Sequence, residues 1–414
     1  EFARILLSAG ENVIRDIDID MIGMVYDTML QTYRRTYDDE ETYSKCETFI
    51  LDMSIKCIKS EVLKRKMDGI SLICQMSDKL NHNDLHYVSR EQIAHRIKNE
   101  DVLDSVMKGH PQLIQKTSGL FKLFCACNQL TNADLELLWN SLRNGDTDTK
   151  NSIMSIFNDI NFSLGVDHII FVIDKMCSVP TNVLTLEEIK YVHCLLQNGR
   201  ISKDVTEEET KEMSNKCISL LFRVVVDESI TNLEIVKTAN KELKKTLKYS
   251  ENQTVSDNIF QSCVENIKNN KAVIQSLKII KRIVEYYLYK NVLIKQLLDQ
   301  NIIEHLFGNL KLFKTQIKTK LDAAGVKPSE VGSDQFSKWM PSTRYTYQEN
   351  IIKRIDFIDT LTFSEEVSDE DIMKIFDKVW DELVVNSLFQ IESTYFREWF
   401  KDFLTKFGEL LSDE

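Results

Sequence analysis

The sequence predicts an all-α fold, an armadillo- or HEAT-like α-solenoid of irregular helical repeats. Three observations predict it. Proline occurs four times and glycine twelve times in 414 residues, so helices can run with little interruption. No region alternates apolar and polar residues between turn signals, as strands do. One kind of helix start recurs along the chain, a hydroxyl residue followed three positions later by a carboxylate, in which each side chain takes a free backbone N–H.

That start is clearest in residues 129–144, QLTNADLELLWNSLRN, where Thr131 and Asp134 precede Leu135, Leu138, Trp139 and Leu142 at helical spacing. Residues 367–386, VSDEDIMKIFDKVWDELVVN, echo it with Ser368 and Asp371 before Ile372, Ile375, Phe376, Val379 and Leu383. Thr185 and Glu188 open a third copy.

In chain order, residues 1–37 read as two helices around a weak break near Gly10. Residues 38–41 read as a solvated acidic turn, with Thr42 capping a helix that runs to Lys59. Residues 61–80 place Val62, Leu63, Met67, Ile70, Ile73 and Met76 on one face. Ser89, with Gln92, caps the next helix. A short helix over 101–107 ends at Gly109, and His110-Pro111 starts a helix spanning 112–128. Beyond residue 144 come helices over 148–161 and 166–177, then a break at Pro180 and Asn182. Asn198-Gly199 begins a polar loop, and Thr206 with Glu209 caps a helix to about Val226. Residues 230–249, 254–269, 271–289 and 291–320 read as single helices. Residues 324–347 hold Pro328, Pro341, Gly325 and Gly332 among serines and threonines and read as a long irregular loop. Helices resume at Gln348. The expected division is a solenoid over 1–323, the loop over 324–347, and continued solenoid over 348–414. Stacks of this kind leave an extended surface for partners.

The formal net charge is −12, which disfavours a nucleic-acid binder. No apolar stretch approaches the roughly 18 residues of a membrane span. The chain begins Glu-Phe without methionine and reads as an excerpt of something longer. Nine cysteines, none spaced as C-x-x-C, read as small core residues in a reducing, cytoplasmic compartment.

Few residues invite a chemical reading. His82 and His86 stand four apart in HNDLH, but lack the glutamate of a zinc-protease motif and fall in a loop. Cys125 and Cys127 point to different sides of a helix, as do the adjacent His193 and Cys194. No phosphate-binding glycine loop occurs. The lysine runs 241–248 and 311–320 read as solvated helix faces, and Trp139, Trp380 and Trp399 as core. No catalytic, metal or cofactor-binding residue is assigned, no cofactor is expected, and the partner-binding residues stay unknown.

Three stretches together resemble the helical region that precedes the protease domain in large ubiquitin-specific proteases of the fat-facets type. They are residues 62–76, 99–139 and 379–400. In order they carry Leu130, Thr131, Asp134 and Trp139, then Trp380, Asp381, Leu383, Val384, Asn386, Trp399 and Phe400. The resemblance implies a deubiquitinating cysteine protease whose solenoid recruits substrates or regulators. The family's nucleophile sits in a Gly/Asn-rich box ending in Cys-Phe or Cys-Tyr. Here the nine cysteines are followed by Glu47, Ile58, Gln75, Ala126, Asn128, Ser178, Leu195, Ile218 and Val264, so no catalytic residue carries over. The expectation is a non-enzymatic interaction scaffold with protein partners, and with neither nucleic acid nor membrane, in a deubiquitinase whose catalytic domain lies outside this chain. The alternative is a free-standing armadillo-like adaptor.

Overall fold

The computed structural model describes residues 1–79, 88–201, 206–248, 253–286, 290–340, 344–364 and 366–409, and among them every regular element is helical. The fold is all-α and armadillo-like. The chain divides into two compact units, residues 1–179 with 190–214, and residues 180–189 with 215–414. The main packing partners lie within four helices of one another along the chain, as expected where each repeat buries its apolar face on near neighbours.

The first unit holds α1 (Phe2–Ser8), α2 (Glu11–Asp16), α3 (Ile19–Tyr33), α4 (Asp39–Ile58), α5 (Leu63–Lys79), α6 (Arg90–Asn99), α7 (Val102–Met107), α8 (Pro111–Lys116), α9 (Ser118–Ala126), α10 (Asn132–Asn144), α11 (Thr147–Ile160) and α12 (Val166–Ser178). The helices α13 (Leu186–Ile201) and α14 (Glu207–Val226) are divided between the units. The second unit continues with α15 (Leu233–Lys248), α16 (Gln253–Lys268), α17 (Val273–Tyr286), α18 (Lys290–Asp299), α19 (Ile302–Ala323), α20 (Phe336–Trp339), α21 (Tyr347–Thr362), α22 (Asp369–Trp380) and α23 (Ile391–Phe407).

Most of the expected caps form. Thr131 with Asp134, Ser89 with Gln92, Thr185 with Glu188 and Thr206 with Glu209 each exchange two hydrogen bonds across a helix start. Ser368 accepts from the Asp371 amide at 3.2 Å. A further capping box, unforeseen, joins Thr346 and Glu349 at the start of α21.

Several boundaries differ from the sequence reading. Residues 1–37 form three helices, because Ile17 and Asp18 interrupt a second time and Asp18 caps α3. Asp38, rather than Thr42, caps α4 by accepting from the Glu41 amide at 2.8 Å, and Thr42 is buried inside the helix. The span 112–128 breaks at Thr117 into α8 and α9. The helix α13 runs through Gly199 to Ile201. The span 291–320 is α18 and α19, joined at Asn301 with φ 55°. Asp101, with φ 51°, makes the same junction between α6 and α7. Asn and Asp tolerate this left-handed conformation better than other residues with a Cβ, since their short polar side chains bond locally.

Asparagine also replaces glycine at helix ends. After α9, Gln129 N–H reaches Phe124 O at 2.8 Å and Asn128 N–H reaches Cys125 O at 3.1 Å, with Asn128 at φ 51°. After α16, Lys271 and Asn270 repeat the pattern on Asn266 and Ile267. These are Schellman ends, and they explain how so many helices terminate with few glycines. Gly69 is needed for another reason. A Cβ there would lie 2.4 Å from Ser54 O, where α5 crosses α4 closely.

Residues 324–346 hold two 3-10 turns, Pro328–Glu330 and Ser333–Gln335, and the single turn α20. Phe336, Trp339 and Met340 are buried within the second unit, so aromatic anchors hold this span to the helices beside it.

Candidate functional site

The residues considered for chemistry do not assemble. His82 and His86 lie outside the described residues. No group of three His, Cys, Asp or Glu side chains able to hold a metal occurs among the described residues, and no helix there is long and apolar enough to cross a membrane. Burial pushes the thiols of Cys46, Cys57 and Cys125 up to about 11 and raises Cys127 as well. Activation of a nucleophile requires the opposite shift. Cys194 and His193 are neighbours on α13, where the Cys194 carbonyl accepts from Asn161 Nδ2 at 3.3 Å.

The tryptophans divide. Trp139 and Trp399 are buried, but Trp380 is 44% exposed, which corrects its reading as core. Counted from the N-cap, the buried stripe of α10 is positions 4, 7, 8 and 11, Leu135, Leu138, Trp139 and Leu142. The same positions of α22 are Ile372, Ile375, Phe376 and Val379. Trp380 is at position 12, about 100° further round the axis than Val379, and its ring stands edge-on to Phe396 at 5.2 Å.

The lysine runs also divide. Lys241 and Lys244 are exposed on α15, as expected of a solvated face. Lys314 is not solvated. It is 6% exposed and pairs with Glu392 Oε2 at 2.7 Å, while donating to the Glu382 carbonyl.

Around that pair lies a groove of about 1230 Å³. One wall is α19, which sets Lys311, Lys314, Thr315 and Lys318 on one face at helical spacing, with Phe313, Ile317 and Leu321 turned into the core. The opposite wall is the span from Lys327 to Ser333. The third wall follows α22, where the chain widens into a π-turn, Asp381–Val385, closed by Asn386 N–H on Asp381 O at 2.8 Å. Such single π-turns are rare and frequent at functional sites. Here Leu383 is buried and Val385 is 64% exposed.

Glu392, at the start of α23, ties these walls together. It is fully buried, and its Oε1 accepts from the Leu388 amide at 2.8 Å, the Phe389 amide at 3.0 Å and the Tyr347 hydroxyl. A carboxylate buried this deeply requires such donors and a paired charge. Burial first, and the Glu392 charge second, hold the Tyr347 phenol well above its ordinary range. Burial also raises Glu382, partly offset by Lys314 and Lys311. The floor is aromatic, with Phe336 stacked on Phe389 at 4.4 Å and Tyr347 edge-on to Phe389 at 4.9 Å. Behind it Arg354 is buried and donates to Asn309 Oδ1 at 3.0 Å and to Asn350, and desolvation pushes it down to about 9.

Among the described residues that line the groove there is no cysteine or histidine. The groove thus combines an aromatic floor with a basic rim. Sequence reasoning missed it. The one available signal was the spacing of Lys311, Lys314 and Lys318 on a single helical face.

The sequence model of the UBP24/USP9X/USP9Y ARM repeat family matches residues 44–413. Ubiquitin carboxyl-terminal hydrolase 9Y of Mus musculus is 20% identical over 282 residues, which cover 65% of this chain and 11% of that protein. The chain therefore spans about a tenth of the length of this curated relative. A crystal structure of an engineered protein aligns over 85% of this chain and 99% of its own at 11% identity, with a TM-score of 0.27.

Proposed function

Because the chain belongs to the UBP24/USP9X/USP9Y ARM repeat family, we propose that it is a protein-interaction scaffold in a large deubiquitinating cysteine protease. It recruits substrates or regulators, and peptide-bond chemistry belongs to a domain outside this stretch. The observation that carries the reading is that residues 379–400, one of the stretches that resembles the deubiquitinases, build one wall of the groove and give Phe389 to its floor. The groove brings charge and aromatic surface together with no cysteine or histidine among its described lining residues. We further propose that residues 324–347 act as an interruption of the helical stack that supplies the facing wall, and that the protein works in the reducing cytoplasm, a reading supported by nine cysteines that are all free thiols.

The test uses the full-length enzyme. Lys311→Glu with Lys318→Glu should leave turnover of a ubiquitin C-terminal fluorogenic substrate within about twofold, while changing which ubiquitin conjugates accumulate in cells. An unchanged conjugate profile would remove the groove from recruitment. In parallel, the isolated chain should not turn over the fluorogenic substrate. Turnover abolished by replacing one of its cysteines would overturn the scaffold reading.

A further inference from the structure

We propose that the groove docks an extended acidic segment of a partner protein, with two carboxylates about three residues apart and an apolar side chain between them. This deepens the scaffold reading and rests on it. Charge complementarity selects the occupant. The whole chain carries −12, yet the described lining has four lysines, Lys311, Lys314, Lys318 and Lys327, against one carboxylate, Glu382. Glu392 neutralises Lys314 from beneath. Lys311, Lys318 and Lys327 are exposed and form no ion pair among the described residues. A local basic concavity on an acidic surface concentrates field and draws acidic ligands inward.

The spacing sets the length scale. Lys311 and Lys318 are seven residues apart on α19, about 10.5 Å along the axis. In a polyproline-type extended chain, residues three apart share a face at about 9.3 Å. An acidic-x-x-acidic segment therefore matches both lysines at once. Between them its apolar residue meets the edge formed by exposed Val385 and half-buried Leu388. A nucleic acid would present charge far beyond three lysines to a surface that is acidic elsewhere, so it fits less well.

The experiment is fluorescence anisotropy on the whole chain with a labelled peptide containing Pro-Glu-Leu-Pro-Glu. Replacing both glutamates by glutamine should weaken binding at least tenfold. Lys311→Glu with Lys318→Glu should do the same, and Val385→Asp should cost several-fold. Lys241→Glu with Lys244→Glu changes net charge equally on the exposed face of α15 and should leave Kd within twofold. Equal losses from the two double variants, equal binding of a scrambled peptide, or displacement of the peptide by a short oligothymidylate would each overturn the inference. A conjugate profile that shifts with Lys311→Glu and Lys318→Glu while the peptide fails to bind would leave the scaffold reading standing and remove the acidic partner. Peptide binding with an unchanged conjugate profile would do the reverse.

Discussion

The helices α10 and α22 begin alike and end differently. Each starts at a hydroxyl cap with a carboxylate three residues on, and each places apolar residues at positions 4, 7, 8 and 11 after the cap. Then α10 stops at Asn144, with Gly145 N–H bonded to Ser141 O at 2.9 Å. Its tryptophan fills position 8 and is 5% exposed, with the Arg143 guanidinium 4.4 Å over the ring. The helix α22 instead runs on into a π-turn, and its tryptophan falls at position 12, outside the stripe. Position 8 there is Phe376, packed at 6.1 Å on Trp399 and 5.1 Å on Phe403. The lesson is that an equivalent start does not make every later residue equivalent. Register within the helix, rather than residue type, decides which aromatic is core.

The largest effect expected from this contrast is Trp139→Ala. Truncating a buried tryptophan costs about 3–5 kcal/mol through lost transfer energy and the cavity left behind. In a stack of neighbour contacts the damage stays local. Hydrogen exchange should show α8 to α11 losing protection while α21 to α23 keep theirs. Uniform loss across both units would mean one cooperative core.

A smaller effect concerns Asp359, which sits beneath the aromatic cluster of α22 and α23 and accepts from Trp399 Nε1. Burial pushes its carboxyl up to about 7, with Asp356 and Asp402 adding repulsion against the bond from Trp399 and the charge of Lys281. The folded chain thus keeps this proton to about pH 7, whereas the unfolded chain loses it near pH 4. Folded protein binds more protons in that window, so the stability of the second unit falls as pH rises through it. Asp359→Asn should flatten the fall by about 3 kcal/mol, read from denaturant midpoints at pH 4.5 and 7.5. An unchanged slope would show that other groups set it.

The smallest effect is Trp380→Ala. An exposed residue off the buried stripe should cost about 0.5 kcal/mol or less, with α22 keeping its exchange protection. A loss comparable to that of Trp139→Ala would restore the equivalence that register denies.

Much of the fold was legible because it rests on local interactions. Thr131 and Asp134, Thr185 and Glu188, and Thr206 and Glu209 find each other within three residues. The helical spacing of the apolar residues around them, with scarce proline and glycine, determines an all-α chain of short stacked elements. The junctions at Asp101 and Asn301 were less legible, because a left-handed residue there depends on how the flanking helices pack as much as on its own type. The groove was not legible at all. Lys314 and Glu392 are 78 residues apart, and only when α19, α21 and α23 come together does a lysine from an apparently solvated run become a buried cation. Whether Val385 faces solvent depends on a π-turn whose extra residue is accommodated by the neighbours it packs against. By itself the sequence determined which segments are helices and how most of them start. Tertiary structure decided which charges are buried and which surfaces remain open, because desolvation depends on neighbours that the chain brings together only on folding.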